Sequence, residues 1–299
     1  MMKIIKLFIA LFFICSSTVN AGMMMAKDSV RIKDSSGGEL SIIDGKARTS
    51  SVPYLFDIAE GNITGHTTFA KYGRVDGIAN TIADIWYGEG GTASRYIFQA
   101  TAQQMEVLSS SGDDTNGGSG INTITITGLD ANYAETSESI TMAGATPVTT
   151  TNSYLRLNGC YATSAGSGGV AAGNIIIQNT ANSITYAAIP IGLTACRDLI
   201  YTVPAGKTLY ITSIHVASGN GGNTTNLNAV IFTPLVRAFG GTAFLPQGEL
   251  LSINTDTIRI LETPIKIIEK SDIKMSVIGD YLSGDSTCIV ALRGWTETN

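Results

Sequence analysis

"INTITITGLD", residues 121–130, sets the period that decides the fold. In an extended chain Ile124 and Ile126 fall on one side, and Thr123, Thr125 and Thr127 on the other. A period of two with one apolar face is the pattern of a half-buried antiparallel strand. Downstream, "ESITMAG" (138–144) repeats it with Ile140 and Met142 inward, and "SYLRLNG" (153–159) with Leu155 and Leu157 inward. The intervening "DANYAE" and "ATPVTTTN" read as turns or edge connections. Across 140–159 the only charged residue is Arg156, with no His or Cys. Such a stretch supplies an apolar face and a face of short hydroxyl side chains.

Upstream, Gln104–Leu108 opens the alternation and leads into a polar loop, "SSSGDDTNGGSG" (109–120). A Gly-rich passage, "SAGSGGVAAGN" (164–174), precedes "IIIQ" and a second strand-rich half. Its candidate strands are Ile184–Pro190, Leu199–Val203, Thr208–Ala217, Ala229–Thr233, Glu249–Ile253, Ile265–Ile268, Ile273–Ile278 and Cys288–Arg293. Eight short strands fit a jelly-roll sandwich, whose two sheets cover each other. The expectation is an all-β chain of two tandem antiparallel sandwiches, the first immunoglobulin-like over 75–180 and the second jelly-roll-like over 181–299.

The N-terminus has a different texture. Lys3 and Lys6 precede an apolar stretch from Leu7 to Cys15, and Val19-Asn20-Ala21 ends it with compact residues. These are the zones of a secretory leader over 1–21, cleaved after Ala21. The apolar stretch is shorter than the roughly 20 residues that span a bilayer. Residues 22–74 read as an extended arm or linker. Within them Tyr54, Phe56, Phe69 and Tyr72 form an aromatic cluster on an irregular segment, suited to covering a sheet or another subunit. "ANTIADIWYGEGG" (79–91) reads as a short helical turn before a break.

Charged residues make up 14% of the chain, against about 25% in an average globular protein. Hydrophobic residues at 44% exclude a disordered chain. The net charge of −5, with no basic run, argues against nucleic acid as a partner, because phosphate binding needs clustered cations. Beyond the leader lie Cys160, Cys196 and Cys288, an odd number without C-x-x-C spacing, which does not make a zinc site. Cys160 and Cys196 would bridge in an exported chain; buried free thiols are the reading preferred here.

Motifs for catalysis are weak. His66 lies in an irregular segment. His215 lies in "YITSIHVAS", where Ile211, Ser213 and His215 are expected on one face and Tyr210, Thr212, Ile214 and Val216 on the other. No G-x-S-x-G elbow is present, and "SAGSGG" lacks its strand–turn–helix context. Asp113 and Asp114 would suit calcium, but no acid completes an EF-hand loop. Glu135 with Glu138, or Asp280 with Asp285, are acid pairs whose separation across a cleft does not follow from spacing. "AGSGGVAAG" has the glycines of a phosphate cradle without its Lys or its helix. The sequons at Asn62 and Asn223 matter only in a eukaryotic secretory pathway. Trp86 and Trp295 are too scattered for a sugar-stacking platform, and Trp295 is expected to seal a core or a subunit contact. No catalytic residue, metal or cofactor is implied.

The string "GLDANYAETSESITMAGATPVTTTNSYLRLNGCYATSAGSGGVAAGNI", followed by "YTVPAGKTLYITSIHVASG", resembles virion structural proteins of tailed phages of aquatic bacteria. The resemblance covers about residues 52–217. It implies a capsid-surface, head-fibre or tail component, oligomeric and without catalysis, located in the virion. Its partners would be copies of itself, other virion proteins and a host-surface glycan. The interface would use Tyr54, Phe56, Phe69, Tyr72 and Trp295, since aromatics are enriched at interface centres. The leader supports an alternative: an exported bacterial β-sandwich, secreted or on the cell surface, that binds glycans or acts as an adhesin. A secreted polysaccharide-active enzyme is the third possibility.

Overall fold

The computed structural model describes residues 30–33, 39–43, 46–48, 54–88, 93–220, 229–253, 255–280 and 286–299. The leader expected over 1–21 lies outside them. The chain divides into two compact units, Met1–Phe56 and Asp57–Asn299. In the first, β1 (Val30–Lys33), β2 (Glu39–Ile43) and β3 (Lys46–Arg48) form an antiparallel meander. A helix, α1 (Tyr54–Ala59), follows where the sequence suggested irregular chain.

In the second unit, β4 (His66–Ile78) and β5 (Ala83–Asp84) come first. The expected helical turn over 79–91 is therefore replaced, at Ala83–Asp84, by strand. Seven strands follow: β6 (Gln103–Ser109), β7 (Ile121–Leu129), β8 (Glu135–Thr141), β9 (Val148–Tyr154), β10 (Arg156–Ala165), β11 (Ile175–Asn179) and β12 (Thr185–Ile189). They form sheets ordered β10-β7-β8 and β12-β11-β6-β9. The three-plus-four split is that of an immunoglobulin-like sandwich, but the order differs, with β6 between β11 and β9. Between them Met105, Val107, Ile121, Ile124, Ile126, Ile175 and Ile177 are fully buried, as the Ile/Thr alternation requires.

The remaining strands are β13 (Ile200–Thr202), β14 (Lys207–Asn220), β15 (Ala229–Arg237), β16 (Leu245–Pro246), β17 (Leu250–Ile253), β18 (Asp256–Ile267), β19 (Asp272–Gly279) and β20 (Ser286–Thr298). One sheet runs β4-β20-β14-β18. The other runs β13-β19-β15-β16, with β5 also on β19 and β17 also on β15. On β19, Val277 and Ser276 pair with Ala83 and Asp84, and Lys274 to Asp272 pair with Ile200 to Thr202. Thus β5 and β13 are two halves of one interrupted strand. Counted so, the strands take jelly-roll order.

The sandwiches are therefore not consecutive. The first is inserted into the second strand of the jelly roll, and its two ends touch where the Leu199 amide donates to the Ile85 carbonyl (2.8 Å). Residues 66–74, expected in the arm, belong to the jelly roll: β4 pairs with β20 along most of its length. Residues 184–190, expected in the second sandwich, form β12 of the first. Gly73 permits the crossover, because a Cβ there would sit 2.6 Å from the Leu199 nitrogen and 2.8 Å from Ile85.

Candidate functional site

Arg156, the lone charge of 140–159, begins β10 and points out of the inserted sandwich into the jelly roll. Its Nε donates to Asp272 Oδ1 (2.7 Å) and its Nη2 to Asp272 Oδ2 (3.2 Å). Arg237 approaches Asp272 Oδ2 through Nε (3.1 Å) and Nη2 (2.5 Å), and the Thr202 hydroxyl donates to Oδ1 (2.6 Å). Arg156 also donates from Nη1 to the carbonyls of Gln99 and Leu155 (both 2.8 Å). A buried carboxylate so supplied is satisfied, and the fork of each guanidinium fixes orientation. Phe98 lies under both cations, 5.3 Å from Arg156 and 5.0 Å from Arg237.

A second buried carboxylate joins the same seam. Asp84 accepts from Lys274 Nζ (2.8 Å), the Ser276 hydroxyl (2.6 Å) and the Tyr96 amide (2.8 Å). Further along, the Asn158 side chain donates to the Thr202 carbonyl and accepts from the Thr202 amide, both at 2.9 Å. Lys71 Nζ donates to the Asn158 carbonyl (2.5 Å). Burial lowers the Lys71 pKa, against the pull of Asp198, and pushes the Asp198 carboxyl up to about 6, against the pull of Lys71. Beside this seam, Thr127, Glu135, Thr136, Ser137, Asn158 and Tyr201 line a crevice of about 370 Å³.

Within the inserted sandwich, Asp114 is fully buried and its oxygens are occupied by the Ser109 hydroxyl (2.6 Å) and the amides of Ile121 (2.7 Å), Ala172 and Gly173 (both 2.9 Å). The Gly-rich loop, which lacks the Lys and the helix of a phosphate cradle, turns two amides on the chain's own carboxylate. Calcium at Asp113 and Asp114 would have to displace these donors. Among the described residues no group of three His, Cys, Asp or Glu converges in a way that would hold a metal. Glu138 accepts from the amides of Thr151 and Asn152 (both 2.8 Å), and Glu135 pairs with Lys207 (2.6 Å), so these acids hold structure separately. Cys160 and Cys196 form a disulfide, Cα atoms 5.3 Å apart, which corrects the preferred free-thiol reading. Adjacent backbone supports it: the Cys196 amide donates to the Cys160 carbonyl (2.9 Å). Cys288 is free and buried.

The outer face of the β4-β20-β14-β18 sheet is the other notable surface. In β14 the register shifts between Ile211 and Ser213 against both neighbours. This bulge corrects the expected faces: Ile211, Ile214 and Val216 all enter the core, while Tyr210, Ser213 and His215 stay partly exposed. Gly294 lies opposite, where a Cβ would meet the Tyr210 carbonyl oxygen at 1.8 Å. Tyr210 stacks on Trp295 at 5.0 Å and 15°. Ile258 and Ile260 of the terminal strand β18 are 56% and 78% exposed, with Ile289 and Tyr72 exposed on the same face. His215 sits among them beside Ser213 Oγ (3.4 Å), whereas His66 lies at the start of β4, 3.9 Å from Glu297.

Of the five expected interface residues, Tyr72 and Trp295 share this face. Phe69 points the other way, into the jelly-roll core against Tyr201 (4.8 Å), so folding removes it from the surface. Tyr54 and Phe56 are exposed on α1. The residues that sequence reasoning missed are Arg156, Arg237, Asp272, Asp84 and Lys274. Only the isolation of Arg156 in an uncharged stretch was a signal for any of them.

No protein-family model and no curated protein matches the chain. Among solved structures it is similar to infectious bursal disease virus Gt strain, at 11% identity over 82% of this chain and 76% of the other, with a TM-score of 0.21. The VP2 subviral particle of that virus gives 12% identity, 82% and 77% coverage and a TM-score of 0.19. T=1 particles derived from it give 12%, 82%, 74% and 0.16. The jelly-roll assignment above rests on strand order and not on these likenesses.

Proposed function

We propose that the chain is a non-enzymatic structural component of a virion that works by associating with copies of itself. The observation that carries this reading is the outer face of the β4-β20-β14-β18 sheet. Its terminal strand, β18, exposes Ile258 and Ile260, with Ile289 of β20 and Tyr72 of β4 exposed on the same face. An apolar edge strand left open is a template for pairing with another chain, and contiguous apolar surface marks an interaction site. Charges of both signs, Arg74, Asp76, Asp256, Arg259, Glu262, Arg293 and Glu297, are interspersed along the same strands. A second copy of the chain meets the requirement for complementary charge around an apolar centre. Tyr72 and Trp295 would lie within that contact, with Tyr54 and Phe56 as a separate aromatic contribution.

The jelly roll with an inserted sandwich supports a virion role by analogy, since jelly rolls recur in capsid domains. The seam supports it physically: two sandwiches joined by the buried Arg156–Asp272 pair and by the Tyr96 amide on Asp84 move as one, which suits a building block. Mass spectrometry of purified particles tests the placement. The chain is expected in them in stoichiometric amount, and its absence from particles together with its secretion as a free protein would contradict the proposal.

A further inference from the structure

The crevice beside the seam has a chemistry of its own. Its floor comes from the inserted sandwich, where Thr127 of β7 and Glu135 and Ser137 of β8 turn outward with Thr136 between them, and one wall is Tyr201 of the jelly roll. Both sandwiches must be in place for it to exist. Its volume of about 370 Å³ falls in the range of small-ligand sites, roughly 300–1,000 Å³.

The polar groups there are short and fixed. Asn158 is held by two hydrogen bonds to Thr202, and the Thr136 hydroxyl accepts from Asn152 Nδ2 (3.2 Å). Glu135 is held by Lys207 through one oxygen, Oε2 (2.6 Å), which leaves Oε1 as an acceptor at the rim. Burial and the neighbouring Glu135 charge both raise the Tyr201 pKa, so its hydroxyl remains a proton donor at neutral pH. Phe69 packs on the Tyr201 ring at 4.8 Å and fixes its plane. Among the described residues the cations beside the crevice are engaged, Lys207 by the Glu135 carboxylate and Lys71 by the Asn158 carbonyl, so neither is left for a phosphate or carboxylate ligand.

We propose that this crevice binds a neutral hexose unit of a glycan. The carboxylate of Glu135 accepts from a pair of sugar hydroxyls, the hydroxyls of Ser137 and Thr127 serve as donor or acceptor, and Tyr201 packs against the apolar face of the ring. A site that hydrogen-bonds hydroxyls with short neutral groups and one carboxylate beside an aromatic ring selects polyols over anions. The proposal is independent of self-association, because the outer face used there lies on another sheet.

Saturation-transfer NMR with the methyl glycosides of galactose, glucose, mannose and N-acetylglucosamine tests it, at millimolar ligand where weak sites register. Glucose 6-phosphate is the anionic control. Transfer to at least one neutral glycoside is expected, with none to glucose 6-phosphate. Ser137 is exposed, so Ser137→Trp fills the crevice without disturbing the core and should abolish the signal. Tyr201→Phe keeps the packing on Phe69 and should weaken it, while Ile258→Asp on the outer face should leave it intact. Absence of transfer to all four glycosides, or transfer that survives Ser137→Trp, would overturn the proposal.

Discussion

In the inserted sandwich Asp114 gathers residues 109, 121, 172 and 173 around one carboxylate, and a disulfide ties Cys160 to Cys196. The jelly roll has no disulfide among the described residues, although Asp272 gathers Arg237, Thr202 and the insert's Arg156 around one carboxylate. Its long β4 pairs with β20, from His66 opposite Glu297 to Ile78 opposite Ser286. The inserted sandwich is thus closed by contacts near in sequence, and the jelly roll by contacts more than 200 residues apart. Non-local pairing carries the larger loop-closure cost and forms later. By that rule the insert is the sub-structure able to form early, and the jelly roll closes around its two ends. Arg156 and Asp272 then join the two.

The most disruptive test of that contrast is Asp272→Ala. It leaves Arg156 and Arg237 facing each other without the shared carboxylate, at a cost of about 3–5 kcal/mol. Urea unfolding should show the loss, and hydrogen exchange should rise on both sides of the seam. Exchange that rises in the jelly roll alone would show that the seam does not couple the sandwiches.

Asp114→Asn sharpens the comparison from the other side. One of the two oxygens becomes a donor facing donors, which costs about 2–3 kcal/mol. Exchange should quicken in residues 105–125 and 170–178 and leave β14 and β20 unchanged. Gly73→Ala strikes the junction itself, and overpacking there costs about 1–3 kcal/mol. Its signature should appear at Ile85 and Leu199, the two ends of the insert.

The last test is one of pH. Asp198 is raised from 3.8 in the unfolded chain to about 6 in the folded one, because burial disfavours its charge. The folded state therefore holds this proton more tightly, and the contribution is fully present below 3.8 and lost as pH rises through about 6. Stability should fall over that window, and Asp198→Asn should flatten the fall. A wild-type profile that rises across the same window, with the variant unchanged, would remove Asp198 from the account.

Much of the insert was legible because its strands alternate cleanly, and Ile124 and Ile126 are fully buried as the pattern requires. β4 was not, since its inward face, Phe69, Lys71, Gly73 and Val75, carries a lysine and a glycine where apolar side chains would mark it, and its partner lies at the far end of the chain. The bulge in β14 reverses a face that strict alternation assigns, and only the pairing with β18 and β20 reveals it. Arg156 read as the wet side of a strand. Asp272 lies 116 residues away, and no local pattern links a guanidinium to a carboxylate at that distance. The outer face was half legible: Tyr72 and Trp295 announce themselves as aromatics, whereas Ile258 and Ile260 fall between the expected strands Glu249–Ile253 and Ile265–Ile268 and belong to β18 only in the structure.

Sedimentation velocity on three forms of the chain tests self-association through this face most directly: wild type, Ile258→Asp with Ile260→Asp, and Ile191→Asp. Ile191 is 60% exposed but belongs to the inserted sandwich, so it controls for added surface charge. Wild type and Ile191→Asp should sediment as the same oligomer and the paired β18 variant as a monomer. A wild type that stays monomeric as concentration rises, or a paired variant that keeps the oligomer, would contradict the account.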